Sequence, residues 1–249
     1  MSRVAIPASF KSTLLYRATR AAWHFRHTDR YRRMRQSLRN DAKGIAAYLA
    51  AETEPKLHLG CGENVLPGWL NTDYFPDDPV IRHLDLTGPF SIPNDSVNLI
   101  FSEHVIEHLP LEGGMNMLHE AFRVLKPGGR IRISTPPLPA LLAIYNEPDA
   151  PEHRAYLDWH RESWLADSGL VTPAVVFNDF MRNWGHLLVY DRETLTAMMA
   201  DAGFIEIRAC KLQQSDEPRL AGLENDTRMP HGLLALVTMT LEATKGERS

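Results

Sequence analysis

From residue 56 onward, short apolar runs alternate with stretches whose apolar residues recur every three or four positions, and this alternation constrains the fold more than any other feature. Apolar runs of strand length separated by helical stretches build a parallel sheet, because parallel neighbours are joined by crossovers rather than hairpins. Strands are expected at 56–60, 69–73, 80–84, 97–102, 130–134, 204–212 and 233–242. A helix is expected over 112–125, where Met115, Leu118, Ala121, Phe122 and Leu125 share a face, and another over 191–202. Lys126-Pro127-Gly128-Gly129 stops the first helix, since proline cannot extend it and glycine supplies turn dihedrals; Gly203 ends the second. The expected class is α/β, a mostly parallel seven-stranded sheet with helices on both faces. Only six residues, Glu63 to Gly68, separate Gly62 from Trp69, whereas a parallel crossover takes about a dozen or more. The first crossover helix is therefore expected to be reduced to a turn.

With 249 residues, 44% hydrophobic and 23% charged, the chain can hold one large domain and an appendage. The appendage is residues 1–54 and the domain 55–249, with an insertion at about 135–190. Prolines (Pro136, Pro137, Pro139, Pro148, Pro151, Pro173) and tryptophans (Trp159, Trp164, Trp184) mark that insertion, and one of this length reads as a functional cap. The net charge of -4 hides an asymmetry: residues 1–43 carry eleven Lys and Arg against Asp29 and Asp41 alone. Helices are expected over 11–26, amphipathic and basic, and over 41–52. Such an arm packs on the domain edge, meets an anionic membrane surface or lipid-linked substrate, or docks nucleic acid, which is the least favoured partner. Its Arg-rich, acid-poor composition also describes a mitochondrial transit peptide, but no cleavage signal accompanies it. No stretch reaches the roughly 18 apolar residues of a spanning helix. Two distant cysteines, Cys61 and Cys210, match no zinc spacing and suit a reducing cytoplasm, so the expected location is cytoplasmic or peripheral to the membrane.

Leu57-His58-Leu59-Gly60-Cys61-Gly62 is a strand entering a glycine turn, where the backbone can approach a ligand closely. Asn71-Thr72-Asp73 ends the second strand with a carboxylate able to accept hydrogen bonds from both hydroxyls of a ribose, and Asp85 ends the third. Open parallel sheets bind ligands at the carboxyl ends of their strands, so these positions converge on one crevice.

These residues, with Asp85-Leu86, the run Phe101-Ser102-Glu103-His104-Val105-Ile106-Glu107-His108-Leu109 and Val124-Leu125-Lys126-Pro127-Gly128-Gly129, resemble the ordered motifs of class I S-adenosylmethionine-dependent methyltransferases. The resemblance covers 55–135 and more loosely 186–242, and is closest to a bacterial branch found among glycan-biosynthesis enzymes. It implies a Rossmann-like fold and S-adenosyl-L-methionine as cofactor. The backbone of Gly60, Cys61 and Gly62 would pass the methionine moiety, Asp73 would hold the ribose, and Asp85 with the Leu86 backbone would meet the adenine. Glu103 and His104 would line the junction of donor and acceptor. The short crossover after Gly62 disfavours a dinucleotide, whose pyrophosphate relies on a helix end there.

Methyl transfer from a sulfonium is an in-line displacement whose cofactor carries the activation, so the protein must chiefly align the reactants and exclude water. A hydroxyl acceptor still benefits from a base. His104 leads, His186 follows, and His153 and His160 lie within the cap. No Asp/Glu/His cluster shows metal-ligand spacing along the chain, so a metal-independent reaction is expected. The leading expectation is O-methylation of a glycan or small molecule. The alternatives are an RNA or protein methyltransferase docking through the basic arm, and a cofactor-binding regulatory or scaffold protein without turnover.

Overall fold

A computed structural model describes residues 41–165, 172–182 and 184–246. The helix expected over 11–26 and most of the basic arm lie outside these residues. Seven strands form one sheet: β1 (Lys56–Leu59), β2 (Leu70–Asp73), β3 (Arg82–His83), β4 (Val97–Glu103), β5 (Leu125–Thr135), β6 (Phe204–Cys210) and β7 (Met239–Lys245), in the order β3-β2-β1-β4-β5-β7-β6. The pairs β1/β2, β1/β4, β2/β3 and β4/β5 are parallel, whereas β7 runs antiparallel to both β5 and β6.

Two of the boundaries that differ from expectation have a local cause. The run Leu233-Leu234-Ala235-Leu236 has strand composition but follows Gly232, whose φ of 87° starts a helical turn, so the last strand begins only at Met239. Lys126 to Gly129 stops the preceding helix, as expected, but the same residues form a bulge inside β5: the partner of Val97 is Leu125 and that of Leu99 is Arg130. A Cβ on Gly129 would sit 2.8 Å from the Lys126 carbonyl oxygen, so that bulge needs glycine.

Strand alternation sorts the sheet into two unlike faces. Leu57, Leu59, Ile100, Ile131, Ile133, Leu241 and Ala243 make one apolar face. Helix α1 (41–51) covers it with Ile45, α2 (Leu111–Val124) with Met117, Leu118 and Ala121, and α6 (Arg192–Asp201) with Leu195 and Met199. Each such fully buried Leu or Ile contributes about 2 kcal/mol. The carboxylate of Asp191 caps α6 by accepting from Thr194 N at 2.8 Å. The opposite face presents His58, Phe101, Arg132, Ser134 and Glu242 and is covered by residues 211–228, whose helical elements are single turns at Pro218–Leu220 and Asp226–Arg228. No helix lies between β1 and β2, as the short crossover requires, nor between β2 and β3 or β3 and β4.

Between β5 and α6 stand helices α3 (Leu138–Asn146), α4 (Pro151–Trp164) and α5 (Pro173–Arg182). Ile144, Tyr156, Leu157 and Val176 pack together with Leu233 and Val237, next to the short helix α7 (Leu233–Leu236). A bridge between Pro137 and Tyr190, with Leu138 N donating to Tyr190 O at 2.8 Å, joins the two ends of this helical segment. No described helix is long and apolar enough to cross a membrane.

Candidate active site

The carboxyl ends of β1, β2 and β3 open onto one cavity of about 620 Å³. Gly60 (φ 64°) and Gly62 (φ 50°) carry the chain out of β1 in left-handed conformations. The turn is tied to β2: Cys61 N donates to Thr72 O at 2.9 Å, and Gly62 N donates to Asp73 Oδ2 at 3.0 Å. Asp73 Oδ1 also accepts from Phe75 N at 2.8 Å, so its carboxylate is fixed by two backbone groups. Asp85 Oδ1 accepts from Thr87 N and Thr87 Oγ1 at 2.9 and 2.7 Å. Gly60, Gly62, Asp73, Asp85 and Leu86 all line this cavity. Cys61 does not: its side chain is buried, and burial, helped by the charges of Asp73 and Asp77, pushes its thiol up to about 12. Only its backbone can serve a ligand.

His104 follows β4 with φ 52°, a left-handed conformation rare for a residue with a Cβ. Its Nδ1 lies 3.2 Å from Glu107 Oε1 and its Nε2 3.1 Å from Thr238 Oγ1. His104 and His108 line both the first cavity and a second one, of about 610 Å³, walled by Trp159, Trp164, Trp184, His186, Arg228 and Met229. The tryptophans of the insertion therefore meet the crevice at two histidines. His160, stacked on Trp184 at 5.9 Å and bonded to Asp179 Oδ2 at 2.8 Å, helps hold that ring.

The histidine expectations separate on this geometry. His104 and His186 reach the cavities; His153 bonds the Glu147 carbonyl, His160 bonds Asp179, and neither lines a cavity named above. Burial holds His186 down at about 4, against the opposing pull of the Glu107 charge.

Glu103 requires a correction. It does not line the junction of the two cavities; it is buried on the face that residues 211–228 cover, where its carboxylate accepts from Asn225 N at 3.2 Å and pairs with Arg228. Successive residues of β4 point to opposite faces, and the left-handed turn at His104 sends only that residue toward the crevice. Burial raises the Glu103 carboxyl above its ordinary range, with Arg228 and the Asn225 amide pulling the other way. Its influence on the second cavity runs through Arg228, which lines it.

The chain order hid one further grouping. Glu107 sits in the turn Ile106–His108 and is fully buried, and its Oε2 accepts from Thr135 Oγ1 at 3.0 Å. Its backbone carbonyl accepts from Leu187 N and Leu188 N at 2.8 and 3.2 Å, which brings His186 against His108, their rings 4.8 Å apart. Burial opposes ionisation of Glu107, but contact with His104 and the charges of His104 and His108 outweigh it and hold the carboxyl below its ordinary range. Glu107 and His108 stood in the sequence as a motif fragment; nothing there linked them to a histidine after α5.

Residues 73–133 match the methyltransferase domain family. No curated protein matches the chain. Among solved structures it is similar to an S-adenosylmethionine-dependent methyltransferase of Archaeoglobus fulgidus, at 16% identity and a TM-score of 0.43, over 87% of this chain and 94% of that one. It is also similar to one of Mesorhizobium loti, at 17% and 0.42, over 80% and 96%. A third likeness, at 14% and 0.45, is to phosphoethanolamine N-methyltransferase 2 of Haemonchus contortus in complex with S-adenosyl-L-methionine; it covers 84% of this chain, which spans about half of that one (53%). Likenesses at this level carry nothing about substrate. The family match falls on the stretch from Asp73 through β4 into β5, which supplies most of the crevice wall.

Proposed function

We propose that this chain is a class I S-adenosylmethionine-dependent methyltransferase that transfers the methyl group to a hydroxyl of a glycan or small molecule held in the tryptophan-walled cavity. One observation carries this reading: His104 stands in the wall common to the crevice and that cavity. The crevice suits a nucleoside bearing a methionine arm. A Cβ on Gly62 would meet nothing within 4 Å, so the backbone there is open to a ligand, and Asp73 and Asp85 present carboxylates beside the apolar Leu86 and Val105. Asp73 would accept the ribose hydroxyls, Asp85 and the Leu86 backbone would meet the adenine, and Gly60 to Gly62 would pass the methionine chain. S-adenosylmethionine, when bound, supplies a methyl group already activated on a sulfonium.

The chain's own residues then have two tasks. Trp159, Trp164 and Trp184 offer flat apolar faces to a sugar ring or comparable acceptor and exclude water. His104 takes the hydroxyl proton at Nε2, from which the Thr238 hydroxyl at 3.1 Å turns away, while its Nδ1 faces Glu107, whose carboxylate orients the ring. The basic residues of 1–43 favour an acceptor presented at an anionic membrane surface, such as a lipid-linked glycan.

The test is incubation with cofactor and a panel of glycans and hydroxylated small molecules, read by mass for addition of one methyl. His104→Ala should lower turnover by about 10²-fold or more with cofactor affinity unchanged. Trp184→Ala should raise the acceptor KM. Methylation of polynucleotide instead, lost on deleting residues 1–43, would replace this reading with an RNA-directed one.

A further inference from the structure

We propose that Glu107, His108 and His186 form a binding site for one divalent transition-metal ion, set beside His104 where the two cavities meet. Each residue offers one ligand atom, and the three atoms lie within 4.8 Å of one another. An ion about 2.1 Å from each ligand in tetrahedral geometry puts ligand atoms about 3.4 Å apart. Closing the set therefore takes side-chain adjustment of about an ångström, within one contiguous turn-and-segment contact.

The second observation is independent of that spacing. Glu107 is 0% and His186 6% exposed, yet Glu107 Oε1 has no well-directed hydrogen bond, only the 3.2 Å contact with His104 Nδ1, and His186 Nδ1 has no well-directed hydrogen bond either. Buried polar atoms are nearly always paired, and a buried carboxylate facing three imidazoles, with one of its oxygens held only by a poorly directed contact, can take a cation as a further partner. The surroundings also fit a ligand set: Thr135 Oγ1 steadies the other Glu107 oxygen, and the Glu107 carbonyl, accepting from Leu187 N and Leu188 N, fixes His186 relative to the Glu107-His108 turn. Second-sphere contacts of this kind orient metal ligands.

Two imidazoles and one carboxylate form the donor set of many catalytic zinc sites and of ferrous facial triads, and imidazole nitrogen favours such ions over magnesium or calcium. Three protein ligands leave coordination positions open. His108 and His186 both line the tryptophan cavity, so an oxygen of the acceptor can take an open position. This use of the site rests on the hydroxyl reading above. A cation there makes the hydroxyl more acidic: its O–H bond breaks, the electron pair stays on oxygen, and the proton passes to His104 Nε2. The oxygen then attacks the methyl carbon as the C–S bond breaks, its electron pair going to sulfur. The sequence-based expectation of a metal-independent reaction gives way to this proposal.

The experiment is calorimetric titration of the tag-free full-length chain, stripped with chelator, with zinc chloride and separately with magnesium chloride. One zinc should bind per chain, with magnesium at least 100-fold weaker. Glu107→Gln and His186→Gln should each lose at least 100-fold in zinc affinity, and His153→Gln should lose none. Circular dichroism and a cofactor titration on the same preparations establish that each variant is folded; if Glu107→Gln is not, His186→Gln decides. Absence of zinc binding by folded chain, or equal affinity in the folded His186 variant, overturns the site. Neither cofactor nor acceptor is present in the titration, so failure of the hydroxyl reading leaves its outcome unaffected, and absence of zinc binding leaves the cofactor crevice standing.

Discussion

Arg132 Nε lies 2.6 Å from Glu224 Oε1, and the same fully buried guanidinium reaches Glu242 Oε1 at 2.6 Å through Nη1. It also donates to the Gln214 and Lys211 carbonyls, while Ser134 Oγ donates to Glu224 at 2.9 Å. This clasp binds residues 211–224 to the polar face of the sheet, where three crossovers bring no helix. Arg132→Met would leave two carboxylates buried with their shared cation gone, a loss of about 4 kcal/mol. Adding Glu224→Met to it should recover part of that loss, because one stranded charge goes. Urea unfolding of the single and double variants measures both; a cost under about 1 kcal/mol for Arg132→Met would mean the segment is held by other contacts.

Asp73 and Asp85 differ in how much they organise. Asp73 holds the amides of Gly62 and Phe75, whereas Asp85 holds only its own loop at Thr87. On the proposed reading, each carboxylate's hydrogen bonds to a bound nucleoside would be worth about 2 kcal/mol, roughly 30-fold in affinity. Asp85→Ala should therefore weaken cofactor binding about 30-fold, and Asp73→Ala by more, since the glycine turn loosens with it. Calorimetry with S-adenosylmethionine decides; normal binding by both variants would remove this crevice as the cofactor site.

What the sequence disclosed tracks what is covalently close. The strands, the glycine turn, the convergence of Asp73 and Asp85 on one cavity and the missing first crossover helix were legible, because each strand end is fixed by its own run of apolar residues. The place of His104 at that cavity was legible for the same reason. Glu103, its neighbour, was misplaced because a single left-handed residue decides which of the two faces the crevice. Arg130-Ile131-Arg132-Ile133 alternates and so announces a polar face, but Glu224 and Glu242 come from a loop and a distant strand. The Glu107, His108 and His186 grouping was hidden likewise, since it depends on the Glu107 carbonyl gripping residues 187 and 188.

Gly60 and Gly62 both have positive φ but face different surroundings. A Cβ on Gly60 would lie 2.4 Å from Val105 Cγ2, whereas one on Gly62 would meet open space. Gly60→Ala combines left-handed strain with overpacking and should cost about 3 kcal/mol of stability. Gly62→Ala bears the strain alone, about 1 kcal/mol, yet its methyl points into the open cavity proposed for the methionine arm. Thermal unfolding should single out the first variant and cofactor titration the second; retained affinity in Gly62→Ala would place the methionine arm elsewhere.

His58 carries a pH dependence whose sign follows from its surroundings. Its ring lies on the polar face of the sheet, 3.2 Å from Asn71 Oδ1 and 5.0 Å from the Phe101 ring, and burial lowers it to about 4. Unfolded, it titrates near 6.5. Between these values the unfolded chain holds a proton that the folded chain does not, so stability falls as pH drops from about 6.5 to about 4. The contribution is about 3 kcal/mol over the window and is absent above it. His58→Phe preserves an aromatic ring against Phe101 and Trp69 but has nothing to titrate. Its unfolding free energy should therefore lose less on acidification than that of the parent, by about 3 kcal/mol across the window. Buried His186 is shifted the same way and remains in both proteins, so it cancels in the comparison. Parallel pH profiles for the two proteins would show that His58 is protonated as readily in the fold as outside it.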